Sequence, residues 1–278
     1  NAHTHLPMTL MRGYGGGCDL HTWLNQYIFP AEARLDSRAV AAGAGLGLAE
    51  MIASGVTCVA DMYMHTGTIA EQILEAGISA NLSCGGVYFG APEDFSPETC
   101  GDCRNQAALT EEWHGAGAGQ ILVDASVHGE YTSNPPLWRW MAEYAAEHRL
   151  GMHVHVSETQ SEHQASLERW GKTPIQALDG CGVWDCGRSL AAHCVYTTEE
   201  DWALMAEKGI SCVHNPWSNL KLGSGVPPIP AMMRAGVNVA LGTDGMSSHN
   251  SADLFSDIKL AAVLHNGVER DPMAVNAW

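Results

Sequence analysis

Apolar residues along this chain gather in short runs, separated by longer stretches in which they recur every three or four positions. The runs are "VTCVADMY" at 56–63, "ILVDASVH" at 121–128, "GMHVHVS" at 151–157, "SLAAHCV" at 189–195, "GISCVHNP" at 209–216 and "VNVALGTDG" at 237–245. Their length and β-branched content predict strands. Between them, 37–54, 67–77, 136–149, 160–170, 198–208 and 251–266 have helical periodicity. "PPLWRWMAEYAAEHRLG" carries proline at its start and glycine just past its end, the usual punctuation of a helix. Strand alternating with helix predicts a parallel sheet with crossovers, and a chain of 278 residues favours an α/β (β/α)8 barrel over an open sheet.

The polar residues strengthen that choice. His, Asp and Glu collect at the carboxyl ends of the predicted strands, where such a barrel builds its active site. "NAHTH" begins where a first strand would finish, and "DPMAVNAW" reads as the opening of another helix, so the expectation is one barrel domain over 1–278, truncated at both ends. The stretch 85–105, rich in Gly, Pro, Cys and acid, reads as a long surface loop after the third strand.

Composition narrows the function classes. Fourteen Lys and Arg against thirty-one Asp and Glu give a formal charge of −17, which disfavours nucleic acid and anionic membranes as partners. With no run of eighteen apolar residues and no visible leader, the expected location is the cytoplasm, and a homo-oligomer is the expected assembly. The nine cysteines, several inside apolar runs, read as reduced core residues; Cys100 and Cys103 have zinc-ribbon spacing but lack a matching second pair.

Candidate chemistry starts from His3 and His5. Alternate side chains of a strand share a face, so both can reach one metal ion. His153 and His155 repeat the spacing, but a mononuclear site already holding two histidines takes only one more plus an acid. His155 lies nearer the strand end and is the expected ligand, with His153 a buried hydrogen-bonded histidine. Asp244, ending the last strand, completes the set. Glu158, just past His155 on the following turn, is placed to shuttle protons without competing for metal.

These motifs resemble the amidohydrolase superfamily, and within it the 5-methylthioadenosine/S-adenosylhomocysteine deaminases. The resemblance rests on "NAHTHLPM", "WLNQYIFPAE" (23–32), "HVHVSET" (153–159), "AAHCV" (191–195), "HNPWSNLKLGSGVPPI" (214–229) and "LGTDGMSSHNSADLF" (241–255). It implies a barrel flanked by a small β-sandwich, neither the sandwich nor the first strand lying in this chain. It also implies one divalent ion, zinc with iron or manganese as alternatives, on His3, His5, His155 and Asp244. Deamination at a purine C6 needs attack by water and protonation of ring nitrogen and leaving ammonia; zinc lowers the pKa of water to about 7, and a neighbouring carboxyl carries the protons. In this scheme Glu158 is the proton shuttle and His193 orients the attacking water. No lysine ends the fourth strand to bridge a second metal; His128 stands there and matches a substrate-contacting histidine. Glu32 matches the glutamate that binds the ribose 2′ and 3′ hydroxyls, and Trp23 is a candidate to pack on the purine.

The resemblance breaks in the stretch after the third strand. Two arginines expected there would contact the 5′ side of the nucleoside; the first is replaced by glycine near Gly85, and Arg104 supplies the second only if the loop shifts by two residues. The expected substrate is therefore an adenine nucleoside with an uncharged 5′ group (5′-deoxyadenosine, 5′-methylthioadenosine or adenosine) ahead of S-adenosylhomocysteine. Two rivals remain: a sister aminohydrolase acting on guanine, 8-oxoguanine or isoxanthopterin, and a non-catalytic metal-binding barrel.

Overall fold

The computed structural model describes residues 1–276. Nine strand segments form a single sheet: β1 (Thr4–His5), β2 (Cys58–Met62), β3 (Ser79–Ser83), β4 (Ile121–Gly129), β5 (Gly151–Val156), β6 (Ser189–His193), β7 (Ile210–His214), β8 (Val239–Leu241) and β9 (Asp244–Gly245). Every pairing is parallel, and each strand from β1 to β7 neighbours the next in sequence. β8 and β9 are two pieces of one stretch. The first pairs with β7, the second with β1, and the Ala2 amide donates to the Leu241 carbonyl at 3.0 Å, so the sheet returns on itself. β1 is two residues long and bridges β2 and β9, Thr4 pairing with Asp61 on one side and Asp244 on the other.

Closure requires a close approach at Gly242. A Cβ there would sit 2.5 Å from Asn215 Oδ1 and 2.8 Å from the His3 carbonyl oxygen. Gly242→Ala must push the backbone of β1 away, and overpacking of this kind costs about 1–3 kcal/mol. A lowered urea midpoint with an unchanged slope is the expected result, and a midpoint at the unaltered value would show that β1 yields freely.

Helices Ser37–Ala53, Thr66–Ala76, Pro135–His148, Gln160–Trp170 and Glu199–Lys208 fall within a residue of the periodicity. Three elements do not. β3 reads "SANLS", too polar to register as a strand, yet it pairs on both sides. The loop after it ends at Cys100, because Gly101–Trp113 is helical; the buried face of that helix includes Gln106 and Thr110, which blur its apolar stripe. The last helix runs Leu254–Glu269, starting three residues later than expected, since the Asp253 side chain caps the Phe255 amide. Residues 271–276 form turns rather than a new helix, and 277–278 lie outside the described residues.

No described helix is long and apolar enough to cross a membrane. All nine cysteines are free, and Cys100 and Cys103 are buried against the core rather than grouped with other ligands.

Candidate active site

His3 and His5 flank Thr4 on β1 and project to the same side, as strand alternation demands. The hydrogen bonds of their rings fix which nitrogen is free. His5 Nδ1 donates to the Met62 carbonyl at 2.5 Å, and His155 Nδ1 donates to the His128 carbonyl at 2.7 Å. His3 Nδ1 lies 2.8 Å from His153 Nε2, and His153 Nδ1 is 3.4 Å from Ser83 Oγ, whose hydroxyl donates to the Asp61 carbonyl. Each proton in that chain is placed by the next acceptor, so His3, His5 and His155 all turn an unprotonated Nε2 inward.

Those three lone pairs meet the Asp244 carboxylate. His3 Nε2 and His5 Nε2 lie 3.2 and 3.1 Å from Asp244 Oδ1, and His155 Nε2 lies 3.3 Å from His5 Nε2. All four ligand atoms fall within 4.8 Å of one another, and His3 Nε2 is buried without a hydrogen-bond partner. Acceptors converging with no donor between them repel, and a cation relieves the repulsion. Three imidazole nitrogens and one carboxylate oxygen suit a divalent first-row metal, so the donor set fits the ion that the resemblance implies. His153 is hydrogen-bonded to His3 and lies outside the cluster.

Asp244 is held by its other oxygen. Ser218 and Ser248 hydroxyls donate to Oδ2 at 2.6 and 2.9 Å, leaving Oδ1 to face the histidines. Its backbone is left-handed, with φ of 59°, as is that of His193 at 75°. Non-glycine residues pay for this conformation, and strand ends at functional sites are where such strain persists.

Glu158 faces the cluster from the turn after β5. Helix Gln160–Trp170 is capped by Thr159, and the turn's free amides at Ser157 and Glu158 donate to Glu162 at 2.8 and 2.7 Å. The capping work falls to neighbours, so the Glu158 carboxyl is left to the site. Its Oε2 is 3.7 Å from His193 Nε2, and Oε1 accepts from the Ser224 hydroxyl at 3.3 Å. Burial pushes the Glu158 carboxyl above the usual range, with the nearby His193 opposing the shift. His193 Nδ1 donates to Asn219 Oδ1 at 2.8 Å, which orients the ring and points Nε2 toward Glu158.

A cavity of about 470 Å3 opens from these groups and is also lined by Glu32, His128 and Trp23. Glu32 is 8% exposed, its carboxyl raised by burial, with the Tyr63 hydroxyl beside it. His128 makes a 3.0 Å hydrogen bond from Nδ1 to Thr132 Oγ1, and burial lowers its pKa to about 4, so it faces the cavity uncharged. Trp23 is buried and donates its indole N–H to the Tyr14 carbonyl, leaving the ring as wall. Arg104 takes no part. It is exposed, with Nη1 donating to the Glu98 carbonyl at 2.7 Å.

The fold has counterparts. A model of the amidohydrolase family matches residues 1–278. The chain belongs to the amidohydrolase family. The chain is 41% identical over 277 residues to a 5-methylthioadenosine/S-adenosylhomocysteine deaminase of Dictyoglomus thermophilum, covering 100% of this chain and 63% of the relative. It is 40% identical to a 5′-deoxyadenosine deaminase of Methanothermobacter thermautotrophicus, covering 100% and 64%. This amidohydrolase therefore spans somewhat less than two thirds of the length of such relatives. A solved structure of an adenosine deaminase from Xanthomonas campestris with bound zinc is similar with a TM-score of 0.91 at 35% identity, covering 100% of this chain and 62% of that one.

Sequence patterns did not mark several side chains that build this amidohydrolase site. Ser218, Asn219, Ser224 and Ser248 fall inside the motifs quoted above, but small polar residues there look like turn formers. Only the contacts with Asp244, His193 and Glu158 reveal their use.

Proposed function

We propose that this chain carries the catalytic barrel of a zinc-dependent aminohydrolase that converts an adenine nucleoside to its inosine analogue and ammonia. The observation that carries the reading is one cavity whose wall includes His5, His155 and Asp244 of the four-residue cluster completed by buried His3, with a buried Glu158 beside it and a buried Glu32 on its wall. Relatives named for deamination of methylthioadenosine, S-adenosylhomocysteine and 5′-deoxyadenosine support it, as does the zinc in the similar adenosine deaminase.

His3, His5, His155 and Asp244 would hold a divalent ion, which would supply a nucleophile at neutral pH by lowering the pKa of water to about 7. Glu158 takes one proton from the attacking water and passes it to the purine ring nitrogen next to C6; it then takes the second from the hydroxyl added at C6 and delivers it to the leaving amine as the C6–N bond breaks, giving the C6 carbonyl and ammonia. A carboxyl raised by burial suits a group that must act as base and then as acid. His193, its Nδ1 committed to Asn219, turns Nε2 toward the attacking water and accepts a hydrogen bond from it, which orients the oxygen for addition at C6. His128 offers a neutral ring to the substrate, and Trp23 a flat apolar wall.

Glu32 supports a nucleoside over a free base, since a carboxylate has the acceptors for both hydroxyls of a ribose diol. Glu32→Ala is expected to lower kcat/KM for nucleosides by about 1–3 kcal/mol, the size of a lost buried polar partner, while sparing weak turnover of free adenine. Ammonia release from matched nucleoside and base pairs measures it. Equal losses on both, or guanine as the better substrate, would hand the site to the sister aminohydrolases.

A further inference from the structure

The charged residues lining the catalytic cavity are all acids. Glu32, Glu158 and Asp244 have roles in the proposed chemistry; the remaining one, Asp102, has none, and no lysine or arginine joins them. Asp102 opens helix Gly101–Trp113 and reaches the cavity wall built by the segment after β3, together with Val87 and the 76% exposed Phe89. Its position is fixed: Oδ2 accepts from the Val87 amide at 2.8 Å and Oδ1 from the Asn105 side chain at 3.3 Å. The cation nearest in sequence, Arg104, is turned away onto the Glu98 carbonyl, so among the described residues lining that wall no cation neutralises the carboxylate.

With purine C6 at Glu158 and the diol at Glu32, the exposed Phe89 marks this wall as the side toward solvent, where the part of a substrate beyond the ribose must pass. We propose that Asp102 is a specificity-determining residue that disfavours 5′ extensions of net negative charge and favours those of net positive charge, such as an amine. The physical basis is long-range and simple. A fixed negative charge beside a partly enclosed cavity, with no compensating cation, acts on the net charge of whatever enters. Apolar contact with Val87 and Phe89 accepts the thioether or methyl portion of either type.

This inference rests on the adenine nucleoside reading, and its test separates the two. Three substrates that share adenine, ribose and a 5′ carbon are compared on the metal-loaded protein by ammonia release: methylthioadenosine (neutral), 5′-S-(3-aminopropyl)thioadenosine (cationic) and S-adenosylhomocysteine, which adds only a carboxylate to the second. The unaltered protein is expected to rank the amine above its carboxylated partner in kcat/KM. In Asp102→Asn the ratios of amine to methylthioadenosine and of amine to S-adenosylhomocysteine should both fall by about three- to fivefold, the range for a partly exposed charge, while S-adenosylhomocysteine, whose 5′ extension is a zwitterion of zero net charge, should hold its ratio to methylthioadenosine. Ratios taken within one variant cancel any general loss of activity, and Asp102→Glu should restore the original order. Unchanged amine ratios in Asp102→Asn would overturn the role of Asp102 while leaving the nucleoside reading intact. Failure of the unaltered protein to deaminate any of the three would instead overturn the nucleoside reading, and the role of Asp102 with it.

Discussion

Glu158→Gln is expected to keep the metal and lose deamination by on the order of 10²–10⁴-fold in kcat, the range for removing a general acid–base group. The amide preserves size and can still take the hydroxyl of Ser224, so the turn held by Glu162 should survive. What disappears is a titrating group. Because burial raises this carboxyl, its ionisation should fall nearer neutrality than that of an ordinary glutamate. The deprotonated form is the base for the first proton transfer, so activity should fall as pH drops through its pKa, and that limb should vanish in the residual activity of Glu158→Gln. Metal analysis paired with a kcat profile against pH reads both effects. Turnover within about tenfold of the unaltered protein, with the acid limb retained, would remove Glu158 from the mechanism.

The second large effect concerns the metal itself. His155 contributes one of three inward Nε2 atoms, and its replacement by alanine leaves two histidines and one carboxylate, a set too small to hold the ion against dilution. His155→Ala is expected to abolish both bound metal and activity, whereas the unaltered protein should carry one divalent ion per chain. Elemental analysis decides it. An unchanged metal content in His155→Ala would refute the ligand assignment, and two tightly bound ions per chain would contradict a mononuclear site. Removal of metal should also lower thermal stability, because ligand atoms from β1, β5 and β9 repel one another once the cation is gone.

The two results test different links. Glu158 acts on protons and should leave the cluster intact; His155 holds the cluster and removes everything downstream. Loss of metal in Glu158→Gln would mean that the carboxyl is itself a ligand, and the proton shuttle would have to be sought elsewhere in the cavity.

Local rules of the chain were sufficient for a good part of this protein. Period-two alternation in a strand is a covalent consequence, so His3 and His5 had to share a face whatever surrounded them. Alternating strands and amphipathic helices required a parallel sheet with crossovers, and that architecture places active groups at strand ends. His155, Asp244 and Glu158 follow from those two facts. Other features depended on residues distant in sequence. His153 and His155 share a face and a motif; the strand-end position already favours His155 as the ligand, but the partner of His153 is decided only where β5 meets β1, some 150 positions away, and His153 Nε2 meets His3 Nδ1. β3 is too polar to announce itself and exists because its neighbours satisfy its backbone on both sides. Arg104 had the right charge for a 5′ contact, but helix Gly101–Trp113 carries it outward and presents Asp102 to the cavity instead. Serine and asparagine have no periodic signature, so Ser218, Ser248 and Asn219 acquire their roles only when β6, β7 and β9 bring Asp244 and His193 within hydrogen-bond reach. Alternation and amphipathicity are properties of adjacent residues and survive in the sequence; the support of the ligands, charge placement and ring orientation are properties of packing, and the closed sheet decided them.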